Sequence, residues 1–193
     1  ASDVYKRQPW NGSVTYTVEP EQAGAEFNLA VRYPGWCHLM QVKVNGIPVS
    51  GAVKTDKGYW MIRRSWQPGD TVSCEMEMEP ERVYAHPMVR ADAGCVALRR
   101  GPIIYTFEGV DNGEDLQTLR IPREAKIEAL PYQADLLEGI VALRVTGCRK
   151  KMAVNPALYA EDAAPEEVVT LQAIPYYAWC NRGMTHMRVW MQE

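Results

Sequence analysis

Val72 to Glu79 reads VSCEMEME. On an extended chain Val72, Cys74, Met76 and Met78 share one face, and Ser73, Glu75, Glu77 and Glu79 share the other. This period of two predicts a strand with one buried and one solvated face. The three glutamates invite a rival reading as calcium ligands or an acid–base set. Same-face residues on a strand stand roughly 6–7 Å apart, so the carboxylates are read as solvating the outer face. Upstream, Gln67-Pro68-Gly69-Asp70 has proline second and glycine third, which suits a type II turn. Tyr59 to Trp66 before it reads as a further strand.

The same grammar extends toward the N-terminus. Val14, Tyr16 and Val18 alternate with Ser13, Thr15 and Thr17, and Phe27, Leu29 and Val31 alternate with Glu26, Asn28 and Arg32. Tyr33-Pro34-Gly35-Trp36 breaks the pattern and Gln41 to Val44 resumes it. Asn45-Gly46 predicts a tight turn with positive φ, returning along Ile47 to Val49. Lys57-Gly58 is a further turn. Short strands with turns every few residues predict an antiparallel sandwich.

Toward the C-terminus, Cys95 to Leu98 and Ile103 to Phe107 read as two halves of a strand with a bulge or bend at Gly101-Pro102. Asp111-Asn112-Gly113 reads as a turn and Ala134 to Leu137 as one helical turn. Leu119 to Ile121, Lys126 to Leu130, Ile140 to Val145 and Val168 to Ile174 read as strands, with an acidic loop over Ala160 to Glu167. Val169 to Met191, VTLQAIPYYAWCNRGMTHMRVWM, is rich in aromatics around the polar knot Asn181-Arg182-Gly183. It is expected to form two strands joined by a glycine-containing turn, with Trp179 and Trp190 buried and Arg182 as an anchor for carboxylates or carbonyls.

Composition bounds the partners. The 193 residues carry a net charge of −3, which gives no reason to expect nucleic acid or an anionic membrane surface. No apolar run reaches the roughly 18 residues of a membrane span, and no secretory leader pattern is visible. Residues 1–8, ASDVYKRQ, read as a non-native leader, since DVYKRQ is what one frame of a transposon mosaic end encodes; they are set aside, and the chain is expected to be the tail of a longer protein. The five cysteines, Cys37, Cys74, Cys95, Cys148 and Cys180, contain no CxxC and are read as buried free thiols. That leans toward a reducing compartment, the cytoplasm over the periplasm.

No catalytic constellation stands out. His38, His86 and His186 have no helical metal spacing. Cys37 and His38 are adjacent and would face opposite ways on a strand. A Cys180–His186 nucleophile pair spans a turn. There is no nucleophile elbow, P-loop or dinucleotide fingerprint. The six tryptophans could form a sugar-stacking platform, but burial in a core or interface is the ordinary use of tryptophan.

Several stretches in order resemble the C-terminal part of glycoside hydrolase family 127, the β-L-arabinofuranosidase-like bacterial enzymes. They are Leu29 to Trp36 (LAVRYPGW), Val44-Asn45-Gly46, Gly58-Tyr59 through Arg64 and Trp66, Gly69-Asp70, Val96-Ala97-Leu98 with Arg100-Gly101-Pro102, Ile104-Tyr105 with Glu108, Ile174-Pro175-Tyr176 with Trp179, Asn181-Arg182-Gly183, and Met187 with Val189-Trp190. The resemblance implies an all-β chain of two antiparallel, jelly-roll-like β-sandwich modules in tandem, about 9–90 and 91–193. It implies an N-terminal (α/α)6 barrel as their partner, holding a zinc-bound cysteine thiolate nucleophile and a glutamate acid/base. An adjacent Cys-Cys pair belongs to that barrel and is missing here, so no catalytic residue carries over, and no cofactor is expected on this chain. Carbohydrate would be met through the parent enzyme. Trp36, Trp66, Tyr176, Trp179, Asn181, Arg182 and Trp190 are the expected structural or interdomain residues. The alternatives are an autonomous carbohydrate-binding module, needing coplanar exposed aromatics, and a small thiol hydrolase, needing a reactive cysteine.

Overall fold

A computed structural model describes residues 4–6, 9–49, 53–55, 57–151 and 158–193. The chain divides into two compact units, after Met78. Both are built of short, mainly antiparallel strands, so the all-β expectation holds.

The first unit contains β1 (Val4–Lys6), β2 (Ser13–Val18), β3 (Ala25–Arg32), β4 (Met40–Val44), β5 (Ile47–Pro48), β6 (Val53–Lys54), β7 (Tyr59–Trp66) and β8 (Asp70–Met76). One sheet runs β1-β2-β8-β4-β5 and the other β3-β7-β6. Part of the segment set aside as a leader thus supplies an edge strand at 4–6, while 1–3 and 7–8 lie outside the described residues. Val18, Val42, Val44, Val72 and Cys74 from the first sheet meet Val31, Ile62 and Trp66 from the second. This is the alternation of β8 expressed as packing: Val72 and Cys74 are buried while Glu75 is exposed. Burial pushes the Cys74 thiol up to about 12, so it behaves as a small hydrophobe. Trp66 is fully buried, donates Nε1–H to Phe27 O at 3.1 Å, and stacks on Phe27 at 5.7 Å between ring centres.

One carboxylate ties two turns of this unit together. Asn45 and Gly46 have φ of 50° and 79°, the conformation of a type I′ hairpin turn. Asn45 Nδ2 donates to Asp70 Oδ1 at 2.8 Å, and Gln67 N donates to Asp70 Oδ2 at 2.8 Å. The Gln67 amide, then the Asn45 amide, hold the Asp70 carboxyl below the usual carboxylate range.

The second unit contains β9 (Pro80–Val83), β10 (Cys95–Arg100), β11 (Ile103–Glu108), the one-turn helix α1 (Gly109–Asn112), β12 (Leu119–Arg120), β13 (Ile127–Ala129), β14 (Leu143–Lys150), β15 (Glu166–Pro175), β16 (Met187–Arg188) and β17 (Met191–Gln192). The pairing runs β16-β11-β15-β14-β12-β17-β10-β9, with β13 on β14. Because β10 also pairs with β11, the strands β10, β11, β15, β14, β12 and β17 form a closed circuit. Leu98, Tyr105, Phe107, Leu119, Ile140, Leu143, Leu171, Ile174 and Met191 are fully buried in this unit.

Five local expectations change. The chain divides at 78/79 rather than 90/91, because Pro80–Val83 pairs along Ala97–Arg100 and so belongs to the second unit. Gly101-Pro102 is not a bend within one strand. It is a two-residue hairpin turn, with Arg100 opposite Ile103 and Gly101 at φ 55°, the place where a type II′ turn wants glycine. Ala134 to Leu137 forms turns without helix, and Asp111-Asn112 belongs to α1, closed by Gly113 at φ 82° donating to Gly109 O. The C-terminal stretch is not a hairpin: β15 and β16 each pair with β11 and not with each other.

Two outcomes test these packing statements. Trp66→Ala should destabilise the first unit by about 3–5 kcal/mol in denaturant unfolding. Asp70→Asn should flatten acid sensitivity. A carboxyl depressed in the folded state stabilises above its unfolded value of about 3.9, and that contribution is lost as pH falls through the folded value. The wild type should therefore lose more unfolding free energy than the variant below about pH 4.

Candidate functional site

The chemistry-bearing residues of the second unit gather where β11 runs into α1. β11 is buried on both faces: Tyr105 and Phe107 on one, Thr106 and Glu108 on the other. Polar groups placed there need partners. Thr106 Oγ1 donates to Arg188 O at 3.0 Å. The Glu108 carboxylate has no exposed side-chain surface. Its Oε1 accepts from Cys180 N at 2.6 Å and its Oε2 from Arg182 Nη2 at 2.6 Å.

Arg182 does double duty. Its Nη1 donates to Asp111 Oδ1 at 2.9 Å, and its Nη2 also meets Asp111 Oδ2. The bond to Asp111 raises the Arg182 guanidinium above the ordinary arginine value; burial opposes this and Glu108 adds to it. Asn112 carries the network onward: its Nδ2 donates to Glu108 O and Gln172 O, both at 2.9 Å, and its Oδ1 accepts from Gln172 N at 2.9 Å. Arg149 Nη2 donates to Asn112 O. The 179–188 segment is fitted tightly to α1, since a Cβ on Gly109 would stand 2.7 Å from Thr185 Oγ1.

Two carboxylates three residues apart resemble a general acid–base pair. Their geometry argues otherwise. Glu108 Oε1 and Oε2 are both engaged, Glu108 is buried, and both carboxylates share one guanidinium. A catalytic carboxyl must reach a reacting atom. The cluster is a clamp holding the C-terminal segment on β11.

Beside the clamp lies an aromatic face. The 3₁₀ turn Tyr176–Ala178 ends β15 and leaves Tyr176 45% and Tyr177 62% exposed. Tyr176 lines a shallow groove of about 600 Å³ with Ile104, Met187, Arg188, Val189 and Trp190. Trp179 is exposed, contrary to the burial expected of it, and Trp190 is half-buried. Trp36 is half-buried against the first unit's core, and Trp66 lies within it. Asn181 is exposed and donates to Ala178 O at 3.1 Å. Of the seven expected structural residues, Tyr176 and Trp190 meet at the groove, and Arg182 serves the carboxylates anticipated for it.

The cysteines divide. Cys37 and Cys74 are buried, Cys95 and Cys148 half-buried, and Cys180 exposed at φ 64°. The exposure of Cys180 departs from the buried-thiol reading, because its backbone N–H rather than its side chain is turned to Glu108. His38, His86 and His186 are exposed. Glu108, Asp111 and Asn112 were not singled out from the sequence as site residues. Asp111-Asn112 read as a turn, and nothing local to Glu108 announces a partner 74 positions away.

The family model for the C-terminal domain of glycoside hydrolase family 127 matches residues 80–192. The chain belongs to glycoside hydrolase family 127. The family's middle-domain model, described as that of a beta-L-arabinofuranosidase, matches residues 3–78, so the two family domains coincide with the two structural units. A non-reducing end beta-L-arabinofuranosidase from Bifidobacterium longum subsp. longum is 34% identical, over 96% of this chain and 29% of its own. The structure of a GH127 beta-L-arabinofuranosidase from Geobacillus stearothermophilus T6 superposes with a TM-score of 0.94 at 46% identity, covering 100% of this chain and 30% of that one. A second solved GH127 beta-arabinofuranosidase gives 0.85 at 30% identity, over 99% of this chain and 31% of its own. The chain thus spans about a third of the length of these relatives.

Among the described residues no three His, Cys, Asp or Glu side chains gather as a metal site. The GH127 clamp yields its own prediction. Arg182→Ala strands a buried carboxylate, which should destabilise the second unit by about 3–5 kcal/mol in urea unfolding. Adding Glu108→Gln, which removes that charge, should recover part of the loss.

Proposed function

We propose that this chain is the non-catalytic C-terminal β-region of a β-L-arabinofuranosidase-like glycoside hydrolase, steadying an N-terminal (α/α)6 catalytic barrel. The observation that carries the reading is the paired match to the family's middle and C-terminal domains over about a third of each relative. The described residues agree with a supporting role. Their buried carboxylates are spent on internal bonds, and the second unit turns an apolar face outward at Ile104, Tyr176 and the groove beside Trp190. Contiguous apolar surface of this kind marks a contact with another body. The occupant proposed is the barrel of the same polypeptide. Retaining hydrolysis of a terminal L-arabinofuranosyl residue, with zinc, thiolate nucleophile and glutamate acid/base, would then take place on residues outside this chain.

The test is a chimera. The purified chain should release no nitrophenol from p-nitrophenyl β-L-arabinofuranoside, whereas the Geobacillus enzyme carrying this chain in place of its own corresponding third should. Ile104→Asp with Met187→Asp should lower the chimera's melting temperature by several degrees more than that of the chain alone. Turnover by the chain alone, or equal losses in both, would overturn the reading.

A further inference from the structure

The tyrosines of the Tyr176–Ala178 turn serve different surroundings. Tyr176 faces the apolar groove, while Tyr177 lines a separate cavity of about 430 Å³ with Leu137, Glu138, Ala178 and Asn181. This volume falls within the roughly 300–1,000 Å³ of small-molecule sites. Its wall is mixed: an aromatic ring, two aliphatic side chains, a carboxylate and an amide.

The polar groups are available. Asn181 Nδ2 is used on Ala178 O, but its Oδ1 takes no hydrogen bond among the described residues. Glu138 has no ion pair or hydrogen bond among them and is exposed. Its position is set by the backbone: Leu137 and Glu138 are consecutive non-glycine residues at φ 51° and 61°. The turn is closed by Gly139 N donating to Leu136 O at 2.9 Å and by the bridge between Gln133 and Ile140. Tyr132 lies across it, so close that a Cβ on Gly139 would stand 1.8 Å from the Tyr132 hydroxyl. Burial raises the Tyr177 phenol, with Tyr132 adding to it.

Chemistry narrows the occupant. An anion would meet Glu138. A purely apolar group would leave the Glu138 carboxylate and Asn181 Oδ1 unanswered, at a cost. A sugar ring answers every wall: its C–H face lies on an aromatic ring, and its hydroxyls donate to carboxylate and amide oxygens. We propose that the cavity bounded by Tyr177, Glu138 and Asn181 is an accessory carbohydrate-binding subsite, taking one ring of a pentose- or hexose-based saccharide. It goes beyond the supporting role and uses the other side of the turn from the proposed barrel contact.

The probes are methyl β-L-arabinofuranoside and methyl β-D-xylopyranoside, titrated into the 193-residue chain while the Asn181 side-chain amide and Tyr177 ring resonances are followed. Saturable shifts at millimolar concentration are expected. Tyr177→Ala should abolish them and Asn181→Ala weaken binding about tenfold, a change of about 1.4 kcal/mol, both with unchanged melting temperature because the residues are exposed. Glu138→Gln should weaken binding less than Tyr177→Ala does. No shift with either glycoside, or shifts that persist in Tyr177→Ala, would overturn the subsite and leave the barrel-docking reading standing.

Discussion

The second unit depends on the burial of one charge. Glu108 sits where β11 leaves the sheet, out of contact with water, and an ionised carboxylate there is tolerated only if paired and hydrogen-bonded. The chain answers from two places at once. Cys180 N–H caps one oxygen and Arg182 the other. Meeting both demands draws residues 179–188 across the end of β11, which lets β16 pair with that strand through Phe107 and Glu108. The left-handed φ of Cys180 and the open φ of Gly183 are local consequences of that path. Asp111 and Asn112 extend the same network to β15, so α1 is locked although a single turn has little helical stability of its own.

This network also decides what the site is not. Glu108 and Asp111 have the residue types and proximity of an acid–base pair, yet both are bonded to one guanidinium and the Glu108 side chain is buried. The guanidinium that unites them engages both carboxylates, so neither is turned toward a reacting atom. A bidentate arginine is well suited to this, because its planar fork reaches two carboxylates while staying charged. The same geometry that looks catalytic as a list of residues is structural as an arrangement.

What was legible in the sequence follows from range. The β8 alternation, the Tyr59–Trp66 strand and the Asn45-Gly46 turn are encoded within a few residues, and each appears where the pattern places it. Arg182 was readable as a carboxylate anchor from its own chemistry. Its partners were not, because a residue some seventy positions away has no local signature. The same limit explains the C-terminal stretch. Two apolar runs flanking a glycine look like a hairpin, and only the intervening insertion of β11 separates them. Gly101-Pro102 fails differently: proline within an apolar run suggests a broken strand, while the pairing of Arg100 with Ile103 makes it the tip of a hairpin. Pro80 opens a strand whose partner decides to which unit it belongs.

The exposed aromatics follow from the same accounting. Tyr105, Phe107, Leu171 and Ile174 already fill the interior beside the clamp and are fully buried. The core therefore does not need Tyr176, Tyr177 or Trp179, and the short turn after β15 carries them outward instead. Each such ring can bury on the order of 150–250 Å², so leaving three in water within four residues forgoes a gain that folding alone could not replace. The separation of Tyr176 and Tyr177 into an apolar groove and a polar cavity points to two different contacts rather than one continuous sticky patch. The clamp makes this possible: by fixing 179–188 on β11, it holds Trp190 and Met187 on one side of the turn and Asn181 on the other.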